Sequence, residues 1–456
     1  MNILVLNGSP KGKFSVTLQT VYYIEQKYTE HKFTVLDVGA TINGIERDFT
    51  KSAELLKSCD AIIFSYPVYN FLAPSQLHRF IELVKSSNVD LRGKLATQIT
   101  TSKHFYDMTA HKFIEENCHD LGMRYVRGLS ADMADILAGN GRLEAEQFFD
   151  FFIHSAEKGI FEKPEAVIRR FIPELPTESA YNEAKKDDRF DVVIVTDATD
   201  ENSSIYKMIE KFRATLPYKA RVVNISEYPF LGGCLGCFAC AASGKCVYKD
   251  GFDEFLRKEI RNANAIVYAF TIKDHSMGSR FKMYDDRSFC NGLRAVTAGT
   301  PIGYLVSGEY SKEHNIRTII EGRASCGQNF LAGVATDERG CDRRIEELSA
   351  NLVFALESHH TVPQTFLGVG GGKIYRDFVF EMRGIMRADH KFYRKHKKYD
   401  FPQKKFFRSV KMYRIGLLLG NKKLRAKVGF KMNNEMLAPY RKMLNEQDRV
   451  DNGTKK

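Results

Sequence analysis

Four of the nine cysteines in this 456-residue sequence stand within thirteen residues: Cys234, Cys237, Cys240 and Cys246, spaced C-x2-C-x2-C-x5-C. Gly232, Gly233, Gly236, Ala239 and Ala241 lie between or beside them and let the backbone curl inward, so the segment is suited to wrapping one small object. Four converging thiolates can hold a [4Fe–4S] cube; they can equally hold zinc or cycle as a dithiol. Spacing this tight in a long chain argues for metal or redox use rather than a disulfide framework. The scattered Cys59, Cys118, Cys290, Cys326 and Cys341 are expected to be inert.

A second group of candidates follows the first apolar run. Asn7-Gly8-Ser9-Pro10-Lys11-Gly12 is a turn-rich loop in which Ser9, and beyond it Ser15 and Thr17, offer hydroxyl donors. Lys11 and Lys13 add positive charge, and the amides of a helix starting near Val16 favour a phosphate. A capped helix after a tight turn would use the same residue types. After the third apolar run, Pro67 fixes the backbone of the segment Ser65 to Phe71, and Tyr69 and Phe71 can present aromatic faces to a planar ring. The loop after the fourth run, Thr100 to Tyr106, holds two candidate proton donors, His104 and Tyr106, which an ordinary polar loop would also contain.

Asn7-Gly8-Ser9-Pro10-Lys11 with Ser15 and Thr17, followed by Tyr66-Pro67-Val68-Tyr69, resembles the NAD(P)H-dependent FMN reductase and iron–sulfur flavoprotein branch of the flavodoxin-like superfamily. The resemblance implies that Ser9, Lys11, Ser15, Val16 and Thr17 hold the FMN phosphate. It also implies that Pro67, Val68, Tyr69, Asn70 and Phe71 line the isoalloxazine, and that Thr101 and Ser102 make a third flavin contact. NAD(P)H as electron donor comes with it, as does a compact cysteine motif of the kind seen at Cys234–Cys246, which the iron–sulfur flavoproteins use.

These residues need a scaffold, and the hydrophobic pattern supplies an α/β one. Apolar runs at residues 2–7, 32–38, 61–64 and 96–100 alternate with helical patterns at 75–85 and 108–121, which specifies a doubly wound parallel sheet. A Pro- and charge-rich stretch follows, and the plan then repeats with strands at 191–195, 265–269 and 302–306 and a helix at 205–216. Asp60-Ala61-Ile62-Ile63-Phe64-Ser65-Tyr66 matches Asn264-Ala265-Ile266-Val267-Tyr268-Ala269-Phe270 at an offset of 204, which favours a duplicated unit. The expected organisation is a flavin-binding domain over 1–155, a linker over 156–188, a second flavodoxin-like domain with the cysteine loop over 189–362, and a basic, mainly helical extension over 363–456. In the second domain Thr271 replaces Pro67, Lys273 replaces Tyr69, and the loop 196–204 carries three acids beside its hydroxyls, so one FMN per chain is expected.

Composition narrows the class. The formal charge of +12 is uneven: residues 361–456 hold 24 Lys+Arg against 8 Asp+Glu, which leaves the α/β part slightly acidic. Basic and aromatic residues interleave over 388–428 at helical spacing, which favours packing onto the body over partner docking, membrane-surface contact and, last, nucleic acid. Gly370-Gly371-Gly372-Lys373 is not a phosphate loop, since Leu367 and Ile374 stand where that motif needs Gly and Ser or Thr. No run of about 18 apolar residues is present, and a strand starting at residue 2 leaves no room for a cleavable signal, so a cytoplasmic location and a homo-oligomer are expected. The function expected is electron transfer from NAD(P)H or a reduced partner through FMN, with the cysteine site as relay, to a small-molecule or protein acceptor. The rival readings are a non-catalytic electron carrier or docking subunit, and a cysteine-based redox or metal sensor.

Overall fold

The computed structural model describes residues 1–162, 171–291, 293–400 and the single positions 407, 410, 413 and 414. Pro164 of the expected linker and most of the basic extension, including Lys404-Lys405 and Lys422-Lys423, lie outside these residues. Among the described residues no helix is long and apolar enough to cross a membrane.

Ile3, Leu4, Val5 and Leu6 are all buried, so this strand must be covered on both faces, and only a parallel sheet between helical layers does that. Strands β1 (Asn2–Asn7), β2 (Lys32–Leu36), β3 (Ala61–Pro67), β4 (Leu95–Thr101), β5 (Arg124–Tyr125) and β6 (Leu129–Ala131) form it, in the order β2-β1-β3-β4-β5 with β6 also on β4. Helices α1 (Val16–Lys27), α2 (Val38–Arg47), α3 (Thr50–Ser58), α4 (Ser75–Ser86), α5 (Asp107–Asp120) and α6 (Gly139–Lys158) cover it. Ile3, Val5 and Ile63 face α1 and α6 through Leu18, Val21, Phe149 and Phe152, while Leu4, Leu6, Ile62 and Phe64 face α4 and α5 through Leu77, Phe80 and Phe113. In the first sheet two strand boundaries differ from the sequence pattern by two residues or more. Val38, expected to end a strand, opens α2, because Asn7 Nδ2 holds Asp37 Oδ1 at 2.7 Å and turns the chain there. The third strand runs on to Pro67, because Ser65 to Pro67 keep pairing with Ile99 to Thr101.

The second sheet contains β7 (Asp187–Thr196), β8 (Tyr218–Asn224), β9 (Ala265–Thr271), β10 (Ile302–Ser307) and β11 (Leu331–Thr336) in the order β8-β7-β9-β10-β11, the same winding as the first. Its helices are α7 (Ser204–Thr215), the short α8 (Ala239–Ser243) and α9 (Phe252–Phe255), α10 (Gly278–Arg287), α11 (His314–Gly327) and α12 (Cys341–Ser358); α13 (Phe366–Glu381) and α14 (Arg387–Lys395) follow. The segment before β7 runs along this sheet's own helix layer, where Glu174 accepts from the Gly340 and Cys341 amides at 3.1 and 3.3 Å at the start of α12.

One hydrophobic core joins the sheets: Leu4, Phe64, Leu77 and Phe113 belong to the same cluster as Val193, Phe270, Phe281 and Ile319, and residues Met1–Tyr393 form one compact unit. The contact is reciprocal. Asp286 Oδ2 accepts from the Ser75 amide at the start of α4 (2.8 Å), and Glu82 Oε1 accepts from the Ser279 amide at the start of α10 (2.8 Å). Both pairs are related by the offset of 204 seen in the sequence, so α4 and α10 meet about a pseudo-twofold axis, as two copies do in a symmetric dimer. The turns after β3 and β9 obey the same relation: Asn70 and Phe71 (φ 43° and 72°) match Asp274 and His275 (φ 51° and 60°). Each turn is clasped by the other half, Asn70 O by Arg323 and Asp274 O by Asn117.

Candidate functional site

A cavity of about 260 Å³ opens at the C-terminal ends of β1, β3 and β4, where an open parallel sheet presents its ligand-binding loops. Ser9, Lys11, Ser15, Val16 and Thr17 line it from the first loop, Pro67, Val68, Tyr69, Asn70 and Phe71 from the third strand, and Thr101 and Ser102 from the fourth. Cys234, Cys237, Cys240 and Cys246 of the second half form the facing wall. The structure therefore brings the two separate groups of sequence candidates to one place, at the junction of the halves.

The first loop is held by its own polar groups. Buried Asn7 accepts from the Ser9 amide (3.2 Å) and donates to Gly12 O (2.9 Å), and Ser15 Oγ caps α1 by accepting from the Leu18 amide (3.4 Å). Thr17 Oγ1 lies 2.6 Å from Thr101 Oγ1, which ties the helix start to the end of β4. Gly39, at the start of α2, lies against the backbone of Gly8 and Ser9 so closely that any Cβ would strike it. Nothing in the local sequence marks Gly39 as part of this loop.

Between β3 and α4 the chain makes a two-residue turn closed by Tyr69 N to Leu72 O (2.8 Å) and Leu72 N to Tyr69 O (3.0 Å). Its position is set from the second half. Lys282, fully buried, donates to Tyr69 O at 3.0 Å and pairs with Asp286; Asn70 Nδ2 donates to Asp285 O at 2.6 Å; and Arg323 bridges Asp285 (2.7 Å) and the Phe71 ring (5.4 Å). The Tyr69 hydroxyl abuts Gly236, whose φ of +59° and lack of a Cβ give it room.

His104 and Tyr106 do not line the cavity, although their neighbours Lys103 and Phe105 do. His104 turns outward to Asp107 (3.0 Å) and Ser130 (3.1 Å), half-exposed to solvent. Tyr106 packs its ring on Phe71 at 4.2 Å and Phe105 at 4.9 Å, with its hydroxyl buried. Both have φ near +54°, so two left-handed residues flank Phe105 and send its side chain the other way.

The cysteine loop is half-buried: Cys234, Cys240 and Cys246 are partly covered and Cys237 is exposed. Burial, with Asp286 adding to it, pushes the Cys234 thiol up to about 12, and burial with Asp389 pushes Cys240 up to about 11. As free thiols these two stay protonated and are slow nucleophiles near neutrality; a cation among them would reverse that. Two features suit the loop to anionic sulfur. The Gly236 amide donates to Cys234 Sγ (3.5 Å), and the Arg287 guanidinium lies 3.7 Å from Cys246 Sγ. Lys11 lies 5.8 Å over the Phe238 ring and links this loop to the first.

Several wall residues carry no local sequence signal. Arg287 comes from the end of α10, and Cys290, expected to be inert, lies on the cavity wall beside Phe289. Ile374, Tyr375 and Phe378 of α13 and Met386 close the cavity from the C-terminal side. The triple glycine is helical rather than a phosphate loop: a Cβ at Gly371 would come within 2.6 Å of Cys326 Sγ and 2.7 Å of the Phe105 ring, so glycine lets α13 lie against α11 and the wall.

A family described as flavodoxin-like fold matches residues 1–137. Among solved structures, general stress protein 14 of Treponema denticola in complex with FMN is 13% identical, with a TM-score of 0.28, and the match covers 34% of this chain and 98% of that one. An FMN-dependent NADH-azoreductase from Bacillus anthracis in complex with FMN is 15% identical, TM-score 0.26, covering 34% and 99%. A flavoenzyme NAD(P)H:(acceptor) oxidoreductase from Paracoccus denitrificans is 19% identical, TM-score 0.29, covering 34% and 97%. Among curated proteins, none matches.

Proposed function

We propose that this chain is an FMN-dependent oxidoreductase that takes electrons from NAD(P)H or a reduced partner and passes them toward a cysteine-bound iron–sulfur centre and an acceptor. One observation carries the reading: all twelve residues assigned to flavin and all four clustered cysteines wall the same cavity. The residues suit the group. Ser9, Ser15, Thr17 and the start of α1 offer hydroxyls and helix-terminal amides for a phosphate, with Lys11 for charge. The Pro67–Phe71 turn and Phe105 offer a rigid, partly aromatic edge for a planar ring. Bound there, FMN would supply two-electron acceptance and one-electron release.

The chain's own part is positioning and exclusion of water. Lys282, Arg323 and Asp285 fix the Pro67–Phe71 turn from behind, and α13 shields the cavity with Tyr375 and Phe378. Cys234, Cys237, Cys240 and Cys246 would ligate a [4Fe–4S] cluster, with Arg287 and the Gly236 amide stabilising charge on sulfur. Denaturing release should give about one FMN per chain. A colourless protein that fails to take up added FMN would overturn the reading.

A further inference from the structure

The turn after β9 carries Lys273, Asp274 and His275 where its pseudo-twofold counterpart carries Tyr69, Asn70 and Phe71, and it is applied to α5 of the first half. His275 Nδ1 lies 3.0 Å from Glu313 Oε1, at the start of α11, and 3.8 Å from Glu116 Oε2 on α5. One donor atom from each of Glu116, His275 and Glu313 lies within 4.8 Å of the other two. Glu313 is only 9% exposed, and its Oε2, like Glu116 Oε2, is shut off from water with no hydrogen-bond partner. A buried carboxylate oxygen without a donor is costly and calls for a cation. The local charge agrees. Glu116, Asp120, Asp274 and Glu313 gather here; Lys85 serves Asp120 and Asp274 together, Lys112 is paired with Glu115, and Lys273 with Glu82.

We propose that Glu116, His275 and Glu313 bind one divalent transition-metal ion that pins α5 of the first half to the β9 turn and α11 of the second. One imidazole nitrogen and two carboxylate oxygens make a donor set suited to Mn²⁺, Fe²⁺ or Zn²⁺ rather than to a soft, thiolate-seeking ion. Metal–donor bonds of about 2.0–2.2 Å place neighbouring donors roughly 3.0–3.5 Å apart. The separations of 3.0 and 3.8 Å need only a side-chain adjustment to reach that. The outer partner is in place: Asp120 Oδ2 sits 3.1 Å from His275 Nε2, where it accepts the ring N–H and leaves Nδ1 for the metal. The site is far from simple surface chelation, because its three ligands come from two halves and bind together only when the halves are docked.

Mn²⁺ is the probe of choice, since it is hard enough to avoid the thiolates of Cys234–Cys246. The full-length protein, freed of adventitious metal, is titrated with Mn²⁺ and the free-ion EPR signal followed. About one ion should be bound per chain, with a rise in the unfolding temperature. Glu116→Gln and His275→Gln should weaken binding at least tenfold, Asp120→Asn about tenfold, and Cys237→Ala should leave it unchanged. Glu116 Oε2 accepts no hydrogen bond and makes the longest of the three His275 ion-pair contacts (3.8 Å), so Glu116→Gln is the variant expected to disturb the fold least, which the unfolding temperature checks. No bound Mn²⁺ in the wild type, or equal binding in Glu116→Gln, would overturn the proposal and leave a proton on His275 as what neutralises the carboxylates.

Discussion

Arg287 carries a positive charge with 1% of its side chain exposed, and its contacts say what that charge is for. Its Nη1 donates to Gly232 O (2.8 Å), its Nη2 donates to Asp250 Oδ1 (2.8 Å) and lies 3.7 Å from Cys246 Sγ, and the guanidinium stacks 4.4 Å over Tyr248. It therefore fixes the loop that carries the cysteines and offsets charge on one of them. Replacing it by Met would strand the buried Asp250, at a cost of about 3 kcal/mol or more. Cys237, by contrast, is exposed and makes a clean deletion. Cys237→Ala should lower iron from about four per chain to below one while FMN binding and thermal unfolding stay near wild type. Stoichiometric zinc in the wild type, or undiminished iron in the variant, would refute the cluster. The same logic separates two candidates from different loops, His104 after β4 and Tyr69 after β3. His104→Ala should change turnover less than about twofold, because the ring faces Asp107 and Ser130, whereas Tyr69→Ala should weaken FMN binding by about tenfold, or ~1.4 kcal/mol. Equal losses in the two variants would put His104 back among the catalytic candidates.

At the scale of elements, strands announce themselves and packing-dependent helices do not. Ala61-Ile62-Ile63-Phe64 reads as a doubly covered strand because every residue is apolar, and the structure buries every one. Helix α13 falls inside the extension expected to be mainly helical, but its place and its packing are not legible, since Gly370-Gly371-Gly372 disfavours any helix by itself; there glycine lets it approach Cys326 and Phe105. The wall it makes, and Arg287 with it, depends on tertiary contact that no local spacing encodes. Gly371→Val should push α13 off that surface, with a stability loss of about 1–3 kcal/mol, and iodide should then quench bound FMN more strongly than in wild type. Helix α5 gives a pH prediction. Burial holds the His111 imidazole down at about 4, with its Nε2 2.7 Å from Thr100 Oγ1. The unfolded chain takes a proton on this histidine first, near 6.5, so stability should fall as pH drops from about 6.5 to 4, by up to ~3 kcal/mol. His111→Gln should flatten that slope in urea titrations at pH 7 and 4.5; an unchanged slope assigns it to other groups.

For the whole molecule, the question is whether two sheets of the same winding fold as two domains or as one. The sequence pattern puts a linker over 156–188 and suggests two modules, and the repeat at an offset of 204 was legible in it. What that repeat did not disclose is that the halves face each other, because docking rests on charges that look like ordinary helix surface. Glu82 and Asp286 belong to no motif in the sequence, yet each caps the first turn of the other half's helix, and Lys282 beside Asp286 is fully buried. Neither acid could stay in that environment if the halves parted and solvent replaced its partner. The shared core points the same way, since Leu77 and Phe113 lie in one cluster with Phe281 and Ile319. Residues 1–393 should therefore unfold in a single calorimetric transition, with the van't Hoff and calorimetric enthalpies in agreement. Lys282→Met would leave Asp286 buried without its cation and should destabilise the protein by about 3–5 kcal/mol, while keeping that single transition. Two resolved transitions in the wild type, or a variant in which only the second half melts early, would mean that the interface is too weak to couple the halves. The flavin loop and the cysteine loop would then meet only part of the time, and FMN bound to the first half should be reduced without passing electrons to the cysteine site.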